Sequence, residues 1–148
     1  MNVIRLHIPA AAEYLEIVRL SLYGTATKLG FSYEDIEDMK VAVSEACTTA
    51  ILHAEPGAEA GHIDISYELG DDWLRVTVKD SGVSHEAYAS EQQTGPYTGT
   101  TPSELNADRL GVYLMEALMD EVEMTTSDEG TEVTLVKYLQ SKNHGMTE

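Results

Sequence analysis

Cysteine is all but missing from this chain: Cys47 is the only one in 148 residues, so no internal disulfide can form. Its neighbours are small and apolar, which marks it as a buried hydrophobe. Basic residues are scarce as well. Nine Lys and Arg stand against 26 Asp and Glu, a formal net charge of -17. A phosphate backbone would be repelled, and no Lys/Arg cluster compensates, so nucleic acid is excluded as a partner. A basic protein partner suits such a surface. No stretch approaches the roughly 20 apolar residues that span a bilayer, which excludes a membrane helix. The opening MNVIRLHIPA turns polar within a few residues, unlike a secretory signal, and a cytoplasmic location is expected. His7, His62, His85 and His144 are scattered without ligand spacing. The GxxxxGK[ST] loop, the protein-kinase catalytic loop and any internal repeat are also lacking.

What remains, 43% of it hydrophobic, is enough for one domain with one sizeable core. Asn2–Ile8 alternates with Ile4, Leu6 and Ile8 on one side, the pattern of a strand. Pro9 suits a first helical turn, and a helix is predicted from Ala10 to Lys28 with Tyr14, Ile17, Val18, Leu22 and Ala26 buried. Gly30 closes it. Ser32 caps a second long helix, with acidic residues in its first turn. After the breaker Glu55–Gly61 come strands at Ile63–Leu69 and Trp73–Val78 around a Gly70-Asp71-Asp72 turn. The stretch from Gly82 to Asp108 lacks lysine, arginine and apolar pattern, and a polar lid is expected there. A helix from Arg109 to Met119 and a hairpin, Glu121–Thr126 with Thr131–Leu139, complete the order. One domain over residues 1–139 with a fraying tail at 140–148 is expected. The fold class is α+β: a two-layer sandwich of a mixed sheet with helices on one face.

The stretch Val41–Ala54, VAVSEACTTAILHA, organises the rest. Val43, Ala46, Cys47, Ala50 and Ile51 recur at helical steps and form one buried face. Glu45 and Thr49 stack one turn apart on a second face, with His53 a further turn along. A carboxylate, a hydroxyl and an imidazole in one row on a half-buried helix look like a site.

Ser44–Ala54 closely resembles the N-box of the GHKL (Bergerat-fold) ATPase superfamily, and most of all its anti-sigma-factor serine kinase branch. Asp80-Ser81-Gly82 is similar to the DxG box that follows the central hairpin. Leu110-Gly111-Val112-Tyr113-Leu114-Met115 is similar to the second glycine box, and Gly130-Thr131 to the last one. The resemblance covers nearly the whole chain.

It implies that Glu45 takes the proton of an attacking serine hydroxyl. It also implies an ATP site built from Asp80, Gly82, Arg109, Gly111, Val112 and Thr131. Glycine ahead of a helix N-terminus would present bare N–H groups to phosphate there. Thr49 stands where the family carries the asparagine that coordinates Mg2+. Asp108 and Arg109 replace the first two glycines of the second box. The family implies a homodimer that sequesters a general-stress sigma factor and uses ATP and Mg2+ to phosphorylate a serine on a STAS-domain anti-anti-sigma protein. The departures at Thr49, Asp108 and Arg109 keep a second reading open, a binding module with the same fold and partners but no phosphotransfer.

Overall fold

The computed structural model describes residues 2–52, 61–80, 102–127 and 130–139. Strand β1 (Asn2–Pro9) leads through a 3-10 turn (Ala12–Tyr14) into α1 (Leu15–Leu29) and α2 (Tyr33–Leu52). The hairpin β2 (His62–Leu69) and β3 (Trp73–Asp80) precedes α3 (Pro102–Leu118), and β4 (Glu121–Ser127) and β5 (Gly130–Tyr138) close the order. The strands form one sheet in the order β1-β2-β3-β5-β4.

Alternation assigns the faces. β3 buries Leu74, Val76, Val78 and Asp80, every second residue. Its antiparallel register sets Ile63 against Asp80, Ile65 against Val78 and Tyr67 against Val76. Val133 and Leu135 of β5 extend the same rows from the other side. All three described helices serve this face. α1 contributes Leu15, Val18, Leu22 and Ala26, α2 contributes Ile36, Met39, Val43, Ala46, Cys47 and Ala50, and α3 contributes Met115. An antiparallel sheet can leave its second face to solvent, because hairpin connections place no helix there and the alternating side chains on that face can be polar. The two-layer α+β fold read from the sequence is therefore present.

Local chemistry fixes the joint between the first two helices. Gly30 takes φ 98°, a left-handed conformation that a side chain resists, and its N–H closes α1 on Ala26 and Thr27 carbonyls. Two residues on, Ser32 Oγ accepts the Asp35 N–H at 3.1 Å and caps α2. The short turn makes α1 and α2 antiparallel neighbours on the sheet. Tyr67 pins α1 from below: its hydroxyl reaches the Val18 carbonyl at 3.1 Å and Ser21 Oγ at 2.7 Å. Burial pushes that phenol up to about 12, so it stays a neutral donor.

Four expectations are corrected. The sheet is antiparallel throughout, not mixed. β3 and β4 run the same way, but the closing hairpin folds β5 between them, so no parallel pair forms. α1 begins at Leu15 rather than Ala10, since Pro9 still pairs with His62 in the sheet and the chain first makes a 3-10 turn. Ile17 is 47% exposed, being set roughly 100° around the helix from Val18. Leu15 takes the place in the core instead. α3 begins at Pro102 rather than Arg109, so the lid expected over 82–108 gives up its last residues to this helix. Pro102 suits the first turn, and Glu104, Leu105, Ala107 and Arg109 are good helix formers despite the polar surroundings. The remainder of that lid, Gly82 included, lies outside the described residues, as do His53, most of the Glu55–Gly61 loop and the tail from Gln140.

Candidate functional site

Helix α2 carries the first part of the site. Its apolar stripe docks it on β3 and β5, while α3 packs along its side. The stripe leaves Glu45 and Thr49 half-buried at the margin. Glu45 meets α3 at Gly111, which is buried, and a methyl group built on Gly111 would stand 2.9 Å from Glu45 Oε1. The carboxylate thus rests against a bare backbone. Only glycine leaves this space.

The second part lies at the end of the sheet. Asp80 is the last residue of β3, 9% exposed, on the face that the helices cover. Thr131, 8% exposed, donates its backbone N–H to Asp80 Oδ1 at 3.4 Å. Gly130, at φ 119°, turns the chain into β5 and aims that N–H. A buried carboxylate is costly to leave unsatisfied, and the backbone donor offsets part of that cost.

The structure therefore brings Glu45 to Gly111 and Asp80 to Thr131. The two pairs share one layer boundary, because α2 lies on the face of the sheet into which Asp80 points. Thr49 stays one turn from Glu45 on the same helix. Val112 is partly buried and packs against the core. Arg109 falls within α3, as does Gly111, which stands more than two turns beyond Pro102. The expectation that Gly111 offers a first-turn N–H to phosphate is thereby corrected: inside a helix, that group belongs to the i→i−4 ladder.

One residue close to the site went unread in the sequence. Arg19 of α1 donates from Nε to Ser44 Oγ at 3.0 Å and pairs with Glu16 through Nη1 at 3.2 Å. It ties α1 to α2 one residue before Glu45. Nothing in a one-dimensional pattern couples residues so far apart. Cys47, on the opposite side of α2, is buried, and its burial pushes the thiol up to about 12, so it is packing rather than chemistry.

Among the described residues, no group of three or more His, Cys, Asp and Glu could hold a metal ion. The half-buried Thr49 hydroxyl would suit a different demand. Mg2+ in nucleotide sites takes one or two protein oxygens and completes its shell with phosphate and water. No helix among the described residues is long and apolar enough to cross a membrane.

Comparison with known proteins identifies the class. Residues 8–137 match the model of the histidine kinase-like ATPase domain, and the chain belongs to that family. Within it, the chain is similar to the serine-protein kinase RsbW of several bacteria. Identity is 43% to that of Bacillus velezensis, covering 99% of this chain and 93% of the relative. It is 44% to that of Listeria monocytogenes, covering 94% and 88%, and 42% to that of Bacillus subtilis, covering 94% and 87%. A crystal structure of the RsbU and RsbW domains of a Mycobacterium tuberculosis protein shares the fold, with a TM-score of 0.67 at 22% identity over 94% of this chain and 32% of that one. The family resemblance read from the motifs is borne out.

Proposed function

We propose that this protein is an ATP-dependent protein serine kinase that doubles as an anti-sigma factor, as the resemblance to the RsbW branch implies. The observation that carries the reading is the seat of Glu45. An N-box carboxylate sits at the junction of α2 and α3, on a helix that packs on the sheet face into which Asp80 points, in a chain 43% identical to a serine-protein kinase.

Phosphoryl transfer asks little covalent work of the protein, only positioning and electrostatics. Glu45 accepts the proton of the substrate serine as its hydroxyl oxygen bonds to the γ-phosphorus of ATP. The bond from that phosphorus to the bridging oxygen breaks, and ADP leaves. Asp80 accepts a hydrogen bond from the adenine amino group, and the Thr131 N–H keeps its carboxylate in place. Gly82, Arg109 and Val112 complete the nucleotide site on the family pattern, while Gly111 faces Glu45 instead. Thr49 would hold Mg2+ through its hydroxyl, and the charge neutralisation that phosphoryl transfer needs would come from that ion.

The partners follow the same reading: a general-stress sigma factor, a STAS-domain anti-anti-sigma protein as phosphoryl acceptor, and a second copy of the chain, all in the cytoplasm. The alternative, a binding module without transfer, rests on Thr49, Asp108 and Arg109 alone. No comparison favours it over a kinase.

The test is direct. The purified protein is incubated with labelled ATP, Mg2+ and a cognate STAS-domain protein. Phosphoserine on the acceptor is the expected product. Tight sigma-factor binding with no phosphoserine would instead establish the binding module.

A further inference from the structure

We infer that Gly111 is a positioning residue for the proposed base: its missing side chain is the seat of the Glu45 carboxylate, and it sets where the proton is taken. The inference rests on the reading of Glu45 as base. It differs from the phosphate-cradling role that a glycine box suggests, and the geometry separates the two.

A cradle needs a free N–H. Gly111 lies well inside α3, which starts at Pro102, so its N–H is committed to the helix ladder. A seat needs a wall without atoms at Cβ height. Gly111 is buried, and a Cβ there would meet the Glu45 carboxyl group: Oε1 at 2.9 Å and the carboxyl carbon at 3.9 Å. Among the described residues, setting aside the adjoining residues and backbone of α3 itself, nothing else stands within 4 Å.

That asymmetry has a consequence. A methyl group at Gly111 collides with the far end of one flexible side chain, so the fold can absorb it by turning Glu45 aside. Alanine is also the better helix former. Stability is kept, and what is lost is the aim of the carboxylate. Reacting groups misplaced by about 1 Å lose roughly a hundredfold in rate.

The experiment uses Gly111→Ala, Glu45→Asp and the double variant, with transfer to a STAS-domain acceptor, equilibrium ATP binding and thermal melting as readouts. Gly111→Ala is expected to lower the transfer rate by roughly tenfold to a hundredfold. Its ATP affinity should stay within about twofold and its melting temperature should not fall. Glu45→Asp withdraws the carboxylate by one methylene, so it should cost less in the Gly111→Ala background than in the unmodified chain. The double variant should then be at least as fast as Gly111→Ala alone. Three results would overturn the inference: an unchanged rate in Gly111→Ala, a fall in ATP affinity that matches the fall in rate, or independent effects of the two substitutions.

One measurement stands apart from activity and from the folding of any variant. In the unmodified protein, nuclear Overhauser contacts between the Gly111 α-protons and the Glu45 γ-protons are expected, and their absence refutes the seat. If Glu45→Gln transfers at the normal rate while those contacts are present, the seat stands and the base assignment fails.

Discussion

Glu45 and Asp80 are both carboxylates at the boundary between helices and sheet, yet they are held in opposite ways. Asp80 has a short side chain, ends a central strand and accepts a backbone N–H from the neighbouring strand. That donor belongs to β5, the next strand of the sheet. Glu45 has a longer side chain, projects from a helix and rests on a surface defined by what Gly111 lacks. A ligand-reading group gains from the first arrangement, because a fixed acceptor selects a donor by geometry. A group that must accept a proton and release it gains from the second, because its far end can turn without disturbing the fold. On the proposed reading, the difference between the two carboxylates is the difference between recognising adenine and moving a proton.

The sharpest way to break this comparison is Glu45→Gln. It keeps size and shape and removes the proton acceptor. A general base contributes roughly 10²–10⁴ in rate, so transfer should fall by about that factor. ATP affinity should hold, and stability should change by no more than about 0.5 kcal/mol, as for other half-exposed sites. Single-turnover transfer with saturating ATP checks it. A variant that loses nucleotide instead would show Glu45 to be a binding residue like Asp80.

Asp80→Ala should give the complementary pattern. A hydrogen bond to a charged acceptor is worth about 1.5–3 kcal/mol, so ATP affinity should fall by roughly tenfold to a hundredfold. The Thr131 N–H also loses its partner in a buried place, at a cost of about 1 kcal/mol in stability, since the bond at 3.4 Å is long. Fluorescent-nucleotide binding and a urea melt measure the two losses separately. If melting falls while ATP binding holds, Asp80 is only a strut of the sheet.

Much of this was legible in the sequence, and the reasons are physical. Period-two alternation in Ile63–Leu69 and Trp73–Val78 reported the sheet, because one face had to be buried. Gly30 and Ser32 reported the helix joint because few residues can do what each does there. The start of α3 was not legible. The residues from Pro102 to Asp108 include the good helix formers Glu104, Leu105 and Ala107 but no apolar stripe, and periodicity is blind to a helix without one. The Arg19–Ser44 bond and the Gly111–Glu45 seat were also hidden, since each joins elements far apart in the chain. Motif spacing pointed to Gly111, but only the packing of α3 on α2 tells what the glycine is for.

The smallest effect sharpens the comparison most finely, because it touches one side alone. Thr49 sits one turn along α2 from Glu45 and remote in sequence from Asp80 and Thr131. Asparagine there reaches about one bond length, roughly 1.5 Å, further than threonine and offers a carbonyl oxygen, a better Mg2+ ligand than a neutral hydroxyl. The helix should tolerate it, since threonine and asparagine have nearly equal propensity. Transfer should therefore rise by about threefold to tenfold in Thr49→Asn, with half-saturation at lower Mg2+, because charge on the phosphates is best neutralised as it moves. Nucleotide binding measured in EDTA should not change, since on the proposed reading the adenine end is read at Asp80. Glu45→Gln should abolish the gain in the double variant, because a better-held metal cannot replace the base. Equal turnover in Thr49→Asn and the unmodified protein would mean that the hydroxyl already suffices. A gain in metal-free nucleotide affinity would mean something stronger: that the two ends of the site are coupled through α2, and the division between them is not the one drawn here.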